Sequence, residues 1–330
     1  MVKNILFALL LIGAMVGCSD DNIYHTIIKD IPVLPDGYTY VPDDRFEQAL
    51  IDQGIDKTDT IPDNMVKTSH IENITELHVD SLGIYELTGI EDFRSLEVLY
   101  CDWNELTKLD LSNNKALDTL DCQSNKIRIL NVRNSPMLTY LMCEINELAG
   151  LDLSGNTNLD ALYCNNNRIT GLDVSYNKML RILSCNGNQI ARLSLNNPKL
   201  EYLECFENKL KNLDLSQCPS LSRVDCFMNQ LSTIHFAKNN NIKVLSASYN
   251  NFESIDLSNC SRIEWVDLKI NKLKTINICN GNNHRIGTFF VIKNPDLKCI
   301  QVDDAAWSIA NWTDIDETAS FSENCNNYSL

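Results

Sequence analysis

The chain of 330 residues is 44% hydrophobic and 22% charged, which is enough apolar material for an extensive core and excludes a disordered chain. Its 44 acidic residues against 28 basic ones give a formal net charge of −16, which argues against attraction to nucleic acid or to an anionic membrane surface. Thirteen Cys beside only 12 Gly is an unusual composition that calls for a search for internal repeats.

The first residues have the pattern of a secretory signal. Lys3 precedes an apolar run over residues 5–12, which is shorter than the roughly 20 residues that a membrane-spanning helix needs. We therefore predict a signal peptide over residues 1–17. The sequence Met-Val-Gly-Cys that ends at Cys18 resembles a bacterial lipobox, in which the cysteine is lipidated and becomes the mature N-terminus. Ordinary cleavage that leaves a free thiol is the alternative.

The lipobox resemblance implies an outer-membrane lipoprotein attached through Cys18, with residues 18–37 as a lipid-anchored tether. The acidic stretch Ser19-Asp20-Asp21 resembles the surface-export signal of Bacteroidetes lipoproteins, which implies that the protein is exposed at the cell surface. Because the chain is acidic, attachment to the membrane must come from the lipid rather than from electrostatics.

An amphipathic helix is predicted over residues 43–54. Asp43 and Asp44 provide an acidic N-cap, and Gly54 provides a stop signal. Apolar residues recur between them at helical spacing: Phe46, Ala49 and Leu50. We assign residues 38–76 to an N-terminal cap that covers the open end of the repeats described next.

A period of about 21 residues fills the middle of the chain. Asn follows three residues after each of seven regularly spaced cysteines: Cys101, Cys122, Cys143, Cys164, Cys185, Cys205 and Cys226. One unit, from Leu96 to Leu106, reads L-x-x-L-x-C-x-x-N-x-L, which resembles a leucine-rich repeat. A shifted copy of the half-motif runs from Leu106 to Asn114, as in the nested short repeats called the IRREKO class. This resemblance implies that both sides of each coil are extended.

The alternation Leu99-Tyr100-Cys101 predicts a strand with one buried face, and a unit this short buries that face only by stacking on its neighbours. We therefore predict a leucine-rich-repeat solenoid over residues 77–302. It is mainly β, with parallel strands on the concave face, extended segments on the other side and a C-terminal cap at 303–330. The repeated Asn is interpreted as an internal ladder that satisfies backbone groups where the chain leaves the strand.

The seven ladder cysteines are predicted to be buried hydrophobic residues. The Cβ atoms of neighbouring ladder cysteines are expected to lie one strand spacing apart, about 4.8 Å. A disulfide needs its two Cβ atoms roughly 3.5–4.5 Å apart, so neighbouring cysteines are too far apart to pair. The chain also lacks the Cys-x-x-Cys pairs of zinc sites, so we predict no metal and no cofactor. Cys299 and Cys325 lie outside the ladder at either end of the C-terminal cap, and we predict a disulfide between them.

The segment that enters the solenoid, residues 77–99, differs from the other repeats. It resembles the internalin-like first repeat of secreted and lipoprotein leucine-rich-repeat proteins of Bacteroidetes. The flanking segments extend this resemblance over about residues 38–325. The resemblance implies a recognition role rather than an enzymatic one.

The candidate ligand-binding face consists of the outward positions of the first strand and the residues just after each Cys. We expect these side chains to face water. Large aromatic and sulfur-containing residues are interleaved there with acids: Tyr100, Trp103, Tyr140, Met142, Tyr163, Tyr202, Phe206, Phe227, Tyr249 and Trp265. Exposed aromatic patches mark interaction sites, although β-rich surfaces also favour aromatics for cross-strand packing.

No catalytic motif stands out, so we predict that the protein is not an enzyme. A repeated Asp column on the second strand, which includes Asp110 and Asp173, is interpreted as a solvated face, with calcium binding as the alternative. The predicted function is protein recognition or adhesion, with a protein ligand from the host or a bacterial surface. Surface glycan binding in nutrient capture is the alternative. The membrane is contacted only through the N-terminal lipid, and nucleic acid is not a partner.

Overall fold

The structure is a computed structural model that describes residues 34–238 and 241–325. The predicted signal peptide, Cys18 and most of the predicted tether lie outside the described residues. Within the described part of the chain, no helix combines the length and the apolar character needed to cross a bilayer.

Eleven short strands, one from each successive coil, form a single parallel sheet, called here the front sheet. The middle residue of each strand is buried, and neighbouring strands pair in register, with Leu99 opposite Leu120. The leucine-rich-repeat fold predicted from the period is therefore confirmed. The front strands are Glu76–His78, Val98–Tyr100, Thr119–Asp121, Tyr140–Met142, Ala161–Tyr163, Ile182–Ser184, Tyr202–Glu204, Arg223–Asp225, Val244–Ser246, Trp265–Asp267 and Thr288–Phe290.

Short strands also occur on the opposite side of the coils, where they pair in parallel as four smaller sheets. Their apolar middle residues face the same core as the front sheet, and most of them, such as Leu109 and Leu213, are buried. The prediction that both sides of the coil are extended is confirmed. These back strands are Lys108–Asp110, Ile129–Asn131, Gly171–Asp173, Arg192–Ser194, Asn212–Leu215, Thr233–Phe236, Ser254–Asp256, Thr275–Asn277, Cys299–Gln301 and Ser320–Ser322.

The repeated Asn forms the predicted internal ladder, and it joins each coil to the one before it. Asn125 Oδ1 accepts from the Leu106 N–H at 2.9 Å, while its Nδ2 donates to the Cys101 carbonyl at 3.0 Å. Both of those partners belong to the preceding coil. The same side chain also donates to the Cys122 carbonyl of its own coil. The N–H contact recurs at Asn104, Asn146, Asn167, Asn188, Asn208, Asn229, Asn250, Asn271 and Asn294.

A second, shorter asparagine ladder lies on the back side of the core. Asn177 is fully buried, and its Nδ2 donates to the carbonyls of Leu153 at 3.1 Å and Asn156 at 2.7 Å. Its Oδ1, unlike that of a front asparagine, has no hydrogen-bond partner within the described residues. Other small residues occupy this position in some coils, as at Ser135 and Cys218.

The N-terminal end of the core is covered by helix α1 (Asp44–Asp52), as predicted. The Asp43 carboxylate accepts from two N–H groups of the first turn, and Phe46 is fully buried with its ring 6.2 Å from that of Phe93. A single-turn helix, α2 (Thr68–Ile71), also lies in this cap. The remaining strands of the cap region are Tyr38–Tyr40 and Met65–Lys67.

The C-terminal end is covered by helix α3 (Ala305–Asn311) and by the last back strand. The Trp312 ring is buried and stacks on Phe289 of the last front strand, with ring centroids 4.3 Å apart. A disulfide joins Cys299 and Cys325, the pair predicted from the sequence, with their Cα atoms 5.9 Å apart. This bond ties the end of the cap to the back sheet.

We predict that Asn167→Ala lowers the free energy of unfolding by about 1–3 kcal/mol, because it leaves a buried N–H and buried carbonyls without partners. Asn167 accepts from the Leu148 N–H and donates to the Cys143 carbonyl. Thermal unfolding followed by circular dichroism measures the change. The exposed Asn158, whose amide contacts only the Pro136 carbonyl, supplies the control Asn158→Ala. Equal stability of the two variants would contradict the ladder's structural role.

Candidate functional site

The front sheet presents its first column, the first residue of each strand, to solvent. Three aromatic rings stand out in this column: Tyr140 is 37% exposed, Tyr202 45% and Trp265 42%. The residues between them are smaller or polar, and Ala161 is fully buried. The exposed rings are therefore separated along the surface rather than packed against one another.

The third column, the last residue of each front strand, is less exposed than the sequence suggests. The expectation that these side chains face water is wrong for Asp121, Ser184 and Asp225, which are buried. Tyr100, Met142 and Tyr163 are only half-buried. The reason is lateral packing between coils: Tyr100, for example, stacks on His78 of the preceding strand, with ring centroids 4.8 Å apart.

The residue two places after each ladder position lies in a left-handed turn and forms a third set, the turn column. Trp103 has a φ of 53° and Ile145 a φ of 52°, and they are 63% and 50% exposed. Tyr249 has a φ of 55° and is 47% exposed. This conformation costs an L-residue roughly 1–2 kcal/mol, and it points a large side chain outward at the rim of the front sheet.

Sequence reasoning grouped Trp103 and Tyr249 with Phe206 and Phe227, but the structure separates them. The two Phe residues precede the turn column by one position and are half-buried. Their rings stack with centroids 4.4 Å apart and an interplanar angle of 9°. The left-handed turn was missed because, of the residues at that position, only Asn166 and Gly187 are of types that favour positive φ.

The front surface of the first five coils is strongly acidic. We call this surface the acidic half and define it as residues 75–81, 97–103, 118–124, 139–145 and 160–166. It contains no Lys or Arg and eight acids: Glu76, Asp80, Glu97, Asp102, Asp118, Asp121, Glu144 and Asp160. The corresponding segments of the next six coils carry six acids and five Lys or Arg residues, so the charge is concentrated at one end.

Burial raises the pKa of several carboxyl groups in the acidic half. The pKa of Glu144 rises to about 6, mainly through desolvation and partly through the Asp121 charge. One oxygen of Glu144 is buried and has no hydrogen-bond partner within the described residues. The pKa of Asp102 is also raised by desolvation and by Asp121. These carboxylates therefore lack a compensating charge in the structure.

A cleft of about 710 Å³ lies between helix α1 and the first front strand. It was not predicted, because its walls come from segments far apart in sequence. Arg45 occupies one side, with its guanidinium donating to the Gly83 carbonyl and lying 5.2 Å from the centre of the Tyr85 ring. The lining residues are Asp44, Arg45, Gln48, Ala49, Asp52, Gln53, Pro62, His78, Asp80 and Leu82.

The remaining polar groups have structural roles. The ladder thiols are buried, and burial raises the pKa of Cys185, for example, to about 12. On the back side, Asp110 and Asp173 each accept from the N–H two residues ahead, so these carboxylates cap turns. No group of three or more potential metal ligands occurs within residues 34–238 and 241–325.

Known structures with the same fold were identified by comparison. The functional domain of InlJ from Listeria monocytogenes, which includes a cysteine ladder, is similar with a TM-score of 0.66 and 24% identity, covering 90% of this chain and 75% of that one. The leucine-rich repeat domain of APL1B is similar with a TM-score of 0.56 and 18% identity, over 90% and 96% of the chains. The LRIM1/APL1C complex matches with a TM-score of 0.55 and 17% identity, over 78% and 57%.

No protein-family model matches the sequence, and no curated protein is significantly similar to it. The structural similarities establish the leucine-rich-repeat fold. They do not identify a ligand for this chain, because function depends on the surface residues and not on the scaffold.

We predict that Glu144→Gln raises the melting temperature at pH 7.5 but leaves it nearly unchanged at pH 4.5. The folded-state pKa of Glu144 lies above its usual value of 4.5, so ionisation costs folding free energy. That cost is absent below about pH 4.5 and grows as the pH rises through about 6. Differential scanning calorimetry at both pH values measures the effect, with the exposed Glu97→Gln as control. A melting difference independent of pH would contradict the prediction.

Proposed function

We propose that the protein is a non-enzymatic, lipid-anchored recognition or adhesion module of the outer membrane, which binds a protein ligand through its front surface. The observation that carries this proposal is the set of exposed rings on the first column: Tyr140, Tyr202 and Trp265. Large aromatic side chains dominate the energetics of protein interfaces, and these three are accessible to a ligand.

The scaffold beneath these rings favours binding because it is already ordered. Each front strand is held in register by its neighbours and by the asparagine ladder. A ligand therefore does not have to order the backbone when it binds, which reduces the entropic cost of association. One of the similar structures, the LRIM1/APL1C complex, is a complex of two proteins in which the matched chain has this fold.

The chemistry of the chain supports recognition rather than catalysis. The seven ladder thiols are buried with raised pKa values, which makes them poor nucleophiles. The large exposed groups of the front surface are aromatic or apolar, and such groups contribute contact area rather than proton transfer.

Glycan binding is the second candidate, because exposed aromatic rings also stack on sugar rings. Tyr202 and Trp265 are exposed enough to do so. Isothermal titration of the purified protein with surface polysaccharides distinguishes the two candidates. Saturable binding that the Tyr202→Ala variant loses would favour glycan capture over protein recognition.

We predict that a triple variant, Tyr140→Ser, Tyr163→Ser and Tyr202→Ser, melts close to the wild type but loses ligand capture. Cross-linking on intact cells, followed by mass spectrometry of the proteins captured by each form, measures the loss. A back-side variant in which Ile129, Met137 and Tyr176 are replaced by Ser is the matched control, because these large side chains are exposed and lie outside the front sheet.

A protein recovered by the wild type and the back-side variant but not by the tyrosine variant supports the proposal and identifies the ligand for direct affinity measurement. Equal recovery by all three forms would exclude the front surface as the binding site.

We predict that Cys18→Ala abolishes lipid attachment and moves the protein from the membrane fraction to the soluble fraction. Metabolic labelling with a fatty acid analogue and cell fractionation measure the change. The control is Cys279→Ala, which removes an exposed thiol that lies in the folded domain. Protease accessibility on intact cells then tests surface exposure. Membrane retention of Cys18→Ala without label would contradict the lipid anchor.

A further inference from the structure

We propose that the acidic half and the adjoining cleft under helix α1 bind a Lys- and Arg-rich segment of the partner protein, with apolar residues between the basic ones. This inference rests on the proposed function and specifies the chemistry of the partner. It starts from the uneven distribution of charge along a surface whose fold is otherwise uniform.

Most carboxylates of the acidic half have no Lys or Arg ion-pair partner among the described residues. Among the residues that the structure describes, Asp160 is the member of this group that has an Arg or Lys ion-pair partner, Arg181 of the next coil at 2.6 Å. Within the described part of the chain, Glu76 has an ion-pair contact with His78 and with no Lys or Arg. Asp80, Asp102, Asp121 and Glu144 repel one another, which adds to the effect of desolvation in raising the pKa values of the last three, and a cation bound between them would relieve this repulsion.

The later coils show that the repeat can also carry acidic residues that pair with basic residues on the same surface. There, Arg223 pairs with Asp225 at 2.5 Å and Lys269 pairs with Asp267 at 3.3 Å, both on the front surface. The same strand positions in the acidic half hold Thr119 beside Asp121 without a basic neighbour. The fold can therefore place a basic residue beside an acidic one on the front surface, but the acidic half contains no Lys or Arg.

The cleft under helix α1 extends the acidic half by a recess large enough for long side chains. Its lining includes the carboxylates of Asp44, Asp52 and Asp80. Its one Arg, Arg45, is already engaged with the Gly83 carbonyl. Asp80 belongs to both the cleft and the acidic half, so the two form one continuous surface.

Exposed apolar side chains occur in the same five coils as the carboxylates. Trp103 and Ile145 are exposed at the rim, and Tyr140 is exposed in the first column. Five coils at about 4.8 Å per strand spacing span roughly 19 Å, which an extended segment of about six residues covers. Basic side chains then meet the acids while apolar side chains pack on the rings.

The test uses random peptides of about twelve residues displayed on phage, selected on the purified full-length protein. Two variants with the same charge change are compared. The front variant carries Asp80→Asn, Glu97→Gln, Asp102→Asn and Glu144→Gln. The back variant carries Asp110→Asn, Asp173→Asn, Asp214→Asn and Asp256→Asn, and Asn still caps those turns. Synthetic versions of the selected peptides are then titrated by fluorescence anisotropy.

We expect the selected peptides to contain several Lys or Arg residues interspersed with apolar ones. Their affinity should fall about tenfold or more for the front variant, remain unchanged for the back variant, and weaken between about 50 and 500 mM salt. An equal loss in both variants would indicate nonspecific attraction to an acidic protein and would overturn the inference.

The outcomes separate this inference from the proposed function. Selected peptides that are neutral or acidic, and that bind the front variant normally but not the triple tyrosine variant, would overturn the inference and leave the recognition function intact. Peptides that bind wild type, front variant and tyrosine variant alike would overturn both.

Discussion

The structure depends on one requirement, which is that the backbone groups left unpaired where the chain turns out of each front strand must be satisfied inside the core. The front asparagines meet it with both ends of the amide, and their partners belong to two successive coils. At the last coil, Asp316 of the C-terminal cap accepts from the N–H groups of Lys293 and Asn294, whose equivalents in earlier coils, such as Trp103 and Asn125, donate to backbone carbonyls of the next coil. The caps are therefore extensions of the same hydrogen-bonding scheme as well as covers for the apolar core.

This internal requirement divides the sequence into positions that are fixed and positions that are free to vary. The Leu, Cys and Asn positions are buried and nearly invariant from coil to coil within this chain, whereas the first column contains Tyr140, Ala161 and Arg223 at equivalent places. Differences in charge, size and aromatic character between coils are concentrated at those variable positions. The contrast between an uncompensated acidic half and a charge-balanced remainder exists only there, so the surface rather than the scaffold distinguishes this molecule from others with the same fold.

The fold could be predicted from sequence because its signals are local and repeated: Cys101, Asn104 and their equivalents recur at a nearly fixed interval, and Asp43 begins a helix with ordinary capping chemistry. The candidate site could be predicted only in part. Burial in the third column depends on the size of the neighbour one coil away, as with Tyr100 against His78, and no local pattern encodes it. The left-handed turn holds Trp103 in one coil and Gly187 in another, so residue type alone does not reveal its backbone conformation.

The spacing of one thiol per coil has a kinetic consequence. Each ladder cysteine, from Cys101 to Cys226, is inaccessible while its own coil is closed, so the rate at which each one reacts with an alkylating reagent reports how often that coil opens. A solenoid held together by contacts between neighbouring coils opens first at its ends and last at its centre. The alkylation rates of the seven thiols therefore report how often each coil opens along the length of the solenoid. In an oxidising compartment the same arrangement makes extensive opening hard to reverse, because thiols released together are free to cross-link before the coils restack.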